Sequence, residues 1–327
     1  MTRPTASDVH VNVPLTQISI AYLQSQDMFI AGRVFPIIPV AKQSDRYFVY
    51  EKADWHRMDA RLRAPSSESA GGGWRIDNTP TYFADVYAVH KDVDDQIRAN
   101  ADNPLDMDRD STEWVTQQLL LRRERTWADN YFTAGVWDTD LLGVAAAPGA
   151  GEFLQWNDPL STPIEDITNA AIDVAEATAF RPNRLVLSPR VFNALKNHPD
   201  VLERIKYTQR AVLTTDILAG LLDIEQVLVA WGVVNTSIEQ APDEPVNEFF
   251  LGNHALLVYA APAPSILRPS GGYMFSWTGY LGAGPQGNRI KSFRMEHLES
   301  DRIEGSLAFD AKLVSADVGV FFEDAVA

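Results

Sequence analysis

The 327-residue chain has a formal charge of −16 and no cysteine, so disulfides, thiolate nucleophiles and cysteine-ligated zinc are excluded. Its apolar fraction of 46% can fill a substantial core, and the length suits about two compact units. No stretch of about eighteen apolar residues is present to cross a membrane, the start lacks the basic-then-apolar pattern of a secretory signal, and no run of Lys and Arg is long enough to grip a phosphate backbone.

In chain order, residues 1–45 combine apolar groups (Val11, Ile18, Phe29, Ile30, Val34, Phe35, Ile37) with prolines at 4, 14, 36 and 39. A short helix fits within 17–30, but proline bars helix and weakens strand pairing around it. Such a segment needs a neighbouring surface, in this chain or another. Arg46–Glu51 follows as a strand by its aromatic and β-branched content, and Thr81–Val89 as a second. They bracket a polar excursion of about thirty residues containing Gly71, Gly72 and Gly73. It reads either as a long outward hairpin with a flexible bend at the glycines or as disorder.

Residues 104–134 form the strongest predicted helix. Asn103 is placed to cap it, Pro104 to open it, and Asp106, Asp108 and Asp110 to face its positive end. Trp114, Leu121, Ala128 and Phe132 fall on one stripe and Leu120, Trp127 and Tyr131 on the next, opposite Thr116, Arg123, Thr126 and Asn130. The basic cluster Arg122, Arg123 and Arg125, flanked by acidic residues, reads as a solvated helix face. Gly135 ends the helix. Residues 138–160, rich in Gly, Ala and Pro, read as an irregular connection.

Thr162-Pro163-Ile164-Glu165 is a capping box opening a helix through Thr178. Arg184–Leu187 is a short buried strand, Ser188-Pro189 starts another helix, and Asp216–Leu222 is a third. Strands follow at Gln226–Val234, Glu248–Leu251, Ala255–Ala260, Ser276–Thr278, Arg289–Glu296 and from Ile303 to Phe322. Helices and strands alternate without a clear βαβ repeat, which predicts an α+β fold.

The order of these parts resembles the major capsid proteins of tailed bacteriophages, the Hong Kong 97-like fold. The resemblance spans essentially the whole chain and rests on order rather than on one motif. It includes the stretch Phe180-Arg181-Pro182-Asn183-Arg184-Leu185-Val186-Leu187-Ser188-Pro189 and the ending Arg302-Ile303-Glu304-Gly305 with Ala316-Asp317-Val318-Gly319-Val320. It implies an N-terminal arm (1–45), an extended projecting loop (46–89), a peripheral domain with its spine helix and connection (90–160), an axial domain (161–285) and return strands of the peripheral domain (286–327). It also implies self-assembly through pentamers and hexamers into an icosahedral head made in the host bacterial cytoplasm. The partners implied are a portal protein, separate scaffolding and decoration proteins where used, and packaged double-stranded DNA bound without sequence specificity, with no membrane. No cofactor, metal or catalytic residue is implied. The type member's long assembly domain ahead of the arm has no counterpart here. Its lysine–asparagine crosslinks are not expected either, since the projecting loop carries only Lys52, at its base.

Trp55 and Trp74 lie in the projecting loop, where an exposed indole is costly unless a partner covers it. With Gly71, Gly72 and Gly73 they are the candidate inter-subunit contacts. Other patterns carry less. Gly282-Ala283-Gly284-Pro285-Gln286-Gly287 matches a dinucleotide fingerprint in letters, but Pro285 removes an amide and no βαβ unit surrounds it. Asp106, Asp108 and Asp110 lack the glycine and glutamate of a calcium loop. His297 and Glu299 would share a face on a strand, most simply as a surface ion pair. The rival readings are an encapsulin-like compartment shell, which shares the fold, and a soluble acidic hydrolase with paired carboxylates, for which no convergent set is visible.

Overall fold

The computed structural model describes residues 24–101, 105–205, 213–237, 246–263, 268–281 and 288–327. Asn103, Pro104, the glycine string at 282–287 and residues 1–23 of the expected arm lie outside them.

Two sheets organise the chain. In the first, the long strand Ser300–Leu313 is the spine. One edge pairs with Asp85–Asp94 from Ser300↔Asp94 to Phe309↔Asp85. The other edge takes Asn288–Met295 and then Gly272–Trp277, which in turn pairs in parallel with Ile37–Val40. The long helix Met107–Tyr131 crosses this sheet. Contact is closest at Gly305, where an added Cβ would lie 2.3 Å from Val115 Cγ1.

The long helix is shorter than expected and turned about its axis. Asp106, not Asn103, is its N-cap and accepts the N–H of Arg109. Its 25 residues give a rod of roughly 37 Å at about 1.5 Å per residue, against roughly 45 Å for the predicted span. The buried row runs through Ser111, Val115, Leu119, Arg123, Glu124, Trp127 and Ala128, while Trp114 is exposed. The expected solvent position of Arg123 is therefore wrong. The face toward the core includes charged residues that an apolar stripe cannot locate, and Glu124 is satisfied there by the amides of Ile30 and Ala31 at 3.0 and 2.9 Å.

Those amides belong to the expected arm. Phe29, Ile30, Ala31, Val34 and Phe35 are buried in this subunit's own core beside Trp127 and Trp137. The apolar residues from Phe29 to Phe35 are thus buried within the chain itself.

The second sheet runs Gln226–Val229, Arg184–Leu187, Ala255–Val258, Gly319–Glu323, Thr139–Val144, Glu152–Leu154. Its central strands are buried on both faces, as their near-continuous apolar runs require. Leu185, Leu187, Ala255, Leu257, Val320 and Phe322 face a core built with helices Pro163–Thr178, Pro189–Asn197 and Thr215–Leu222. The alternate residues Val186, Leu256, Val258 and Phe321 face the end of the long helix and the first sheet. Residues 138–160 are consequently not an irregular connection: they supply two strands, and the tail is shared between both sheets. The long predicted runs also break, Gln226–Val234 into Gln226–Val229 and Val233–Asn235.

Local signals explain the helix starts. The Ser188 hydroxyl accepts the N–H of Val191, with Pro189 in the first turn. Thr162 precedes Pro163–Thr178 but makes no side-chain cap. Glu165 turns instead to Arg204 of the next helical layer, so the expected capping box is not formed.

Candidate inter-subunit interface

The two predicted strands, Arg46–Glu51 and Thr81–Val89, meet each other only at Arg46 and Thr81; Asp85–Val89 pairs instead with the long strand of the first sheet. Ser44–Arg46 lies antiparallel to Thr81–Phe83, and Val49–Tyr50 to Ile76–Asp77. The excursion is therefore a hairpin, with a helical turn at Lys52–His56 on its ascending arm. Its base is fixed to the first sheet by aromatic contacts. Tyr82 stacks on Phe275 with centroids 4.4 Å apart, and Tyr47 lies 5.4 Å from the same ring. The N–H of Phe83 donates to Asp310 at 2.8 Å, and Lys52 pairs with Asp317.

Beyond the base, little of the hairpin is covered. Trp55 is 51% and Trp74 60% exposed, yet their rings lie 5.6 Å apart, and Tyr50 meets Trp55 edge-on at 5.9 Å. The three rings form an aromatic platform on the protein surface. Met58 and Leu62 are almost wholly exposed. Exposed ion pairs hold the local shape: Arg75 to Asp54 at 3.0 Å and Arg57 to Asp59 at 2.8 Å. Arg75 holds the Asp54 carboxyl below the ordinary aspartate range.

Gly71 and Gly73 face open space, and an added Cβ on Gly72 would meet the Asp59 carboxylate. None of the three has a left-handed φ, so backbone conformation in the subunit does not demand glycine. The structure brings Trp55 and Trp74 together and leaves Gly71–Gly73 as a thin, uncovered crossing beside them. The sequence did not show that the two indoles touch, because the pairing register that brings them together is set far from either.

A second uncovered apolar edge is the strand Asn288–Met295. One side pairs with Ser300–Leu313 and the other has no strand partner among the described residues, with Ile290 and Phe293 exposed. An unpaired strand edge is a template for association.

The polar clusters that the sequence flagged take the following places. Among the described residues no group of three or more His, Asp or Glu could hold a metal ion. His297 and Glu299 do not share a strand face: 296–298 is a helical turn and Glu299 is left-handed. Asp106, Asp108 and Asp110 act as cap and first-turn charges of the long helix. Among the described residues a buried Ser–His pair joins Ser161 Oγ to His198 Nε2 at 3.0 Å. His198 Nδ1 accepts the N–H of Asp200, so the proton sits on Nε2, the nitrogen facing Ser161 and the Asp158 carbonyl. A general base needs a lone pair there; the pair is a structural tie. Among the described residues no helix is long and apolar enough to cross a membrane.

Comparison with known proteins places the chain among the following likenesses. A family model described as phage major capsid protein E matches residues 154–261. The chain is 25% identical over 323 residues to the major capsid protein of Pseudomonas phage JBD67, covering 97% of each chain. It is 22% identical over 323 residues to that of Burkholderia phage BcepMu, covering 94% of each. A crystal structure of a phage-related protein from Bordetella bronchiseptica RB50 superposes with a TM-score of 0.70 at 22% identity, over 92% of this chain and 94% of that one. The capsid structure of cyanophage P-SCSP1u does so at 0.61 and 10% identity, over 98% and 95%.

Proposed function

We propose that this chain, a tailed-phage major capsid protein with the Hong Kong 97-like fold and a component of the virion shell, assembles through pentamers and hexamers in which each hairpin lies across a neighbouring subunit. The observation that carries this reading is the aromatic platform of Tyr50, Trp55 and Trp74. Trp55 and Trp74 are more than half exposed in the subunit, on a hairpin fixed to the body at its base. Such a surface gains its burial between copies, and repetition with closed symmetry turns modest contacts into a stable shell. Obligate interfaces of this kind bury on the order of 2,000–5,000 Å².

In this arrangement the second sheet and the helices packed on it, Pro163–Thr178, Pro189–Asn197 and Thr215–Leu222, form the axial domain and gather at the centre of each ring. The long helix and the first sheet form the periphery, and Trp55, Trp74 and Gly71–Gly73 contact the adjacent subunit. Double-stranded DNA is enclosed without sequence-specific contact, which suits a chain of −16 charge. One vertex takes a portal protein, scaffolding and decoration proteins act where the phage encodes them, and assembly proceeds in the host cytoplasm. The chain works as a structural subunit, not as a catalyst.

An encapsulin-like compartment shell shares the fold. Whole-length likeness to two phage capsid proteins supports the phage reading. The test is negative-stain electron microscopy of the full chain, expressed alone and with its neighbouring genes. Closed shells or regular capsomers are expected. A uniform small monomer or dimer under both conditions would overturn the assembly.

A further inference from the structure

Between the hairpin base and the body runs a trough of about 650 Å³. Phe48, Tyr50 and Trp55 of the hairpin form one wall, and Phe180, Tyr273 and Phe275 of the body the other. This size and aromatic lining are those of small-molecule sites. At roughly 30 Å³ per water-sized group, the volume takes an apolar molecule of about twenty non-hydrogen atoms.

The polar lining is one-sided. Arg46, Lys52, His56 and Arg268 border the trough, against one carboxylate, Asp317. Lys52 and Asp317 satisfy each other. Neither Arg46 nor Arg268 has an ion pair among the described residues, although the chain as a whole is strongly acidic. Two guanidiniums beside an aromatic trough match a ligand with an apolar body and one anionic head, because a charge-assisted bond to Arg is strong and directional.

We propose that this trough binds a single long-chain carboxylate, with its hydrocarbon between the aromatic walls and its head at Arg46 and Arg268. Other occupants fit less well. The tip of a neighbouring hairpin carries Arg57, already paired with Asp59, and Arg61 and Arg63 against Glu68, and so brings no net anionic head. Nucleic acid would leave the aromatic walls unfilled, and a flat bilayer cannot enter a concave trough. A ligand lodged here touches hairpin and body together, and so fixes the angle at which the hairpin projects. The proposal goes beyond the assembly reading and does not depend on it.

The test is a fluorescence titration of the unassembled full-length subunit with cis-parinarate, followed by displacement with palmitate, hexadecanol and hexadecyltrimethylammonium. One saturable site per chain is expected, with palmitate displacing the probe and the cationic amphiphile failing to do so. The double variant Arg46→Gln/Arg268→Gln should weaken palmitate about tenfold while leaving hexadecanol unchanged. Phe48→Asp, at a position 55% exposed, should abolish binding of both while thermal unfolding of the subunit stays near that of the parent. Equal affinity for palmitate and hexadecanol in the parent would overturn the proposal. So would binding at several sites indifferent to these substitutions, or no binding. Trough residues that label in free subunits but are covered in shells, with palmitate bound by neither, would assign the trough to a second copy and overturn it too.

Discussion

The carboxylate of Glu124, in the middle of the long helix, accepts the backbone N–H of Ala31 at 2.9 Å, from a segment 93 residues away. Its second oxygen takes the N–H of Ile30 at 3.0 Å. These are amides at the start of the short helix Ala31–Val34, which no side chain of its own caps. Burial pushes the Glu124 carboxyl up, and the two amides and the neighbouring Arg123 pull it back toward the charged form. The root of the N-terminal segment is thus tied to the long helix by this carboxylate as well as by Phe35 packed against Trp127 and Tyr131.

Replacing Glu124 with alanine strands two buried amides and removes the counter-charge of buried Arg123. A loss of about 3–5 kcal/mol is expected from such a site. Glu124→Gln should cost less, since its amide oxygen still accepts one N–H while its NH₂ faces the other. Urea unfolding of the unassembled subunit measures both. A loss below about 1 kcal/mol for alanine, typical of an ordinary surface site, would remove Glu124 from this role.

Gly305 sets how closely the long helix approaches the first sheet. Its Cβ position lies 2.3 Å from Val115 Cγ1 and 3.0 Å from Leu119 Cδ1. A β-branched valine on a helix has little rotameric freedom to withdraw, so Gly305→Ala must push helix and sheet apart. A destabilisation of about 1–3 kcal/mol is expected from this overpacking. The double variant Gly305→Ala/Val115→Ala should recover part of it, and thermal unfolding of the pair reads the coupling.

Elements fixed by their own residues were readable from sequence. Ser188-Pro189 announces its helix, Thr215–Leu222 and Arg184–Leu187 emerge where expected, and two aromatic runs flag the hairpin. What stayed hidden depends on remote partners. Thr139–Val144 is a strand because Gly319–Glu323 lies beside it, and Gly143 is glycine because the Asp324 carbonyl would sit 2.1 Å from a Cβ. In sequence, that glycine looks like loop composition. Arg123 and Glu124 look solvated because their burial is made by chain far upstream. The candidate site was half legible: Trp55 and Trp74 stood out as costly exposed indoles, but their mutual contact depends on register.

One end of the first sheet is held by alternating charges. Arg294 pairs with Asp95 and Asp301, and Arg98 with Asp301 and Asp108. The arginines hold Asp95 and Asp301 below the ordinary aspartate value of 3.8. A carboxyl depressed on folding contributes stability above its unfolded value and loses it as pH falls through the folded one. Loosening of this end is therefore expected only below about pH 4, and at high salt, since the pairs are exposed. Hydrogen exchange of Asp85–Asp94 and Asn288–Met295 between pH 6 and pH 3 would show it. Arg294→Gln should shift that loosening to higher pH, and no shift would mean that the network contributes nothing.

Lys52 is the lysine of the projecting hairpin, and its ammonium is engaged by Asp317 at the hairpin's base. A lysine held there cannot reach a neighbouring subunit from the tip. Mature particles should therefore run as a single chain-sized band on a denaturing gel. A ladder of covalent multimers would show that another lysine forms crosslinks.

Trp74 offers the sharpest separation of folding from assembly. Its ring rests on Trp55, and it is 60% exposed in the subunit. Truncation to alanine removes one exposed contact and should change subunit unfolding by no more than about 0.5–1 kcal/mol. If the platform seats on a neighbour, the same truncation removes an aromatic anchor worth about 2 kcal/mol or more at every such contact. Because a closed assembly would repeat that contact in every copy, the assembly yield should fall far more steeply than the stability of the subunit. Trp74→Phe, which keeps a ring against Trp55, should restore part of the yield, whereas Trp55→Ala should behave like Trp74→Ala. Sedimentation of assembled particles alongside thermal unfolding of subunits distinguishes the cases. Wild-type particle yield with both alanine variants would remove the platform from the interface, and a matching collapse of subunit stability would make these indoles part of the fold instead.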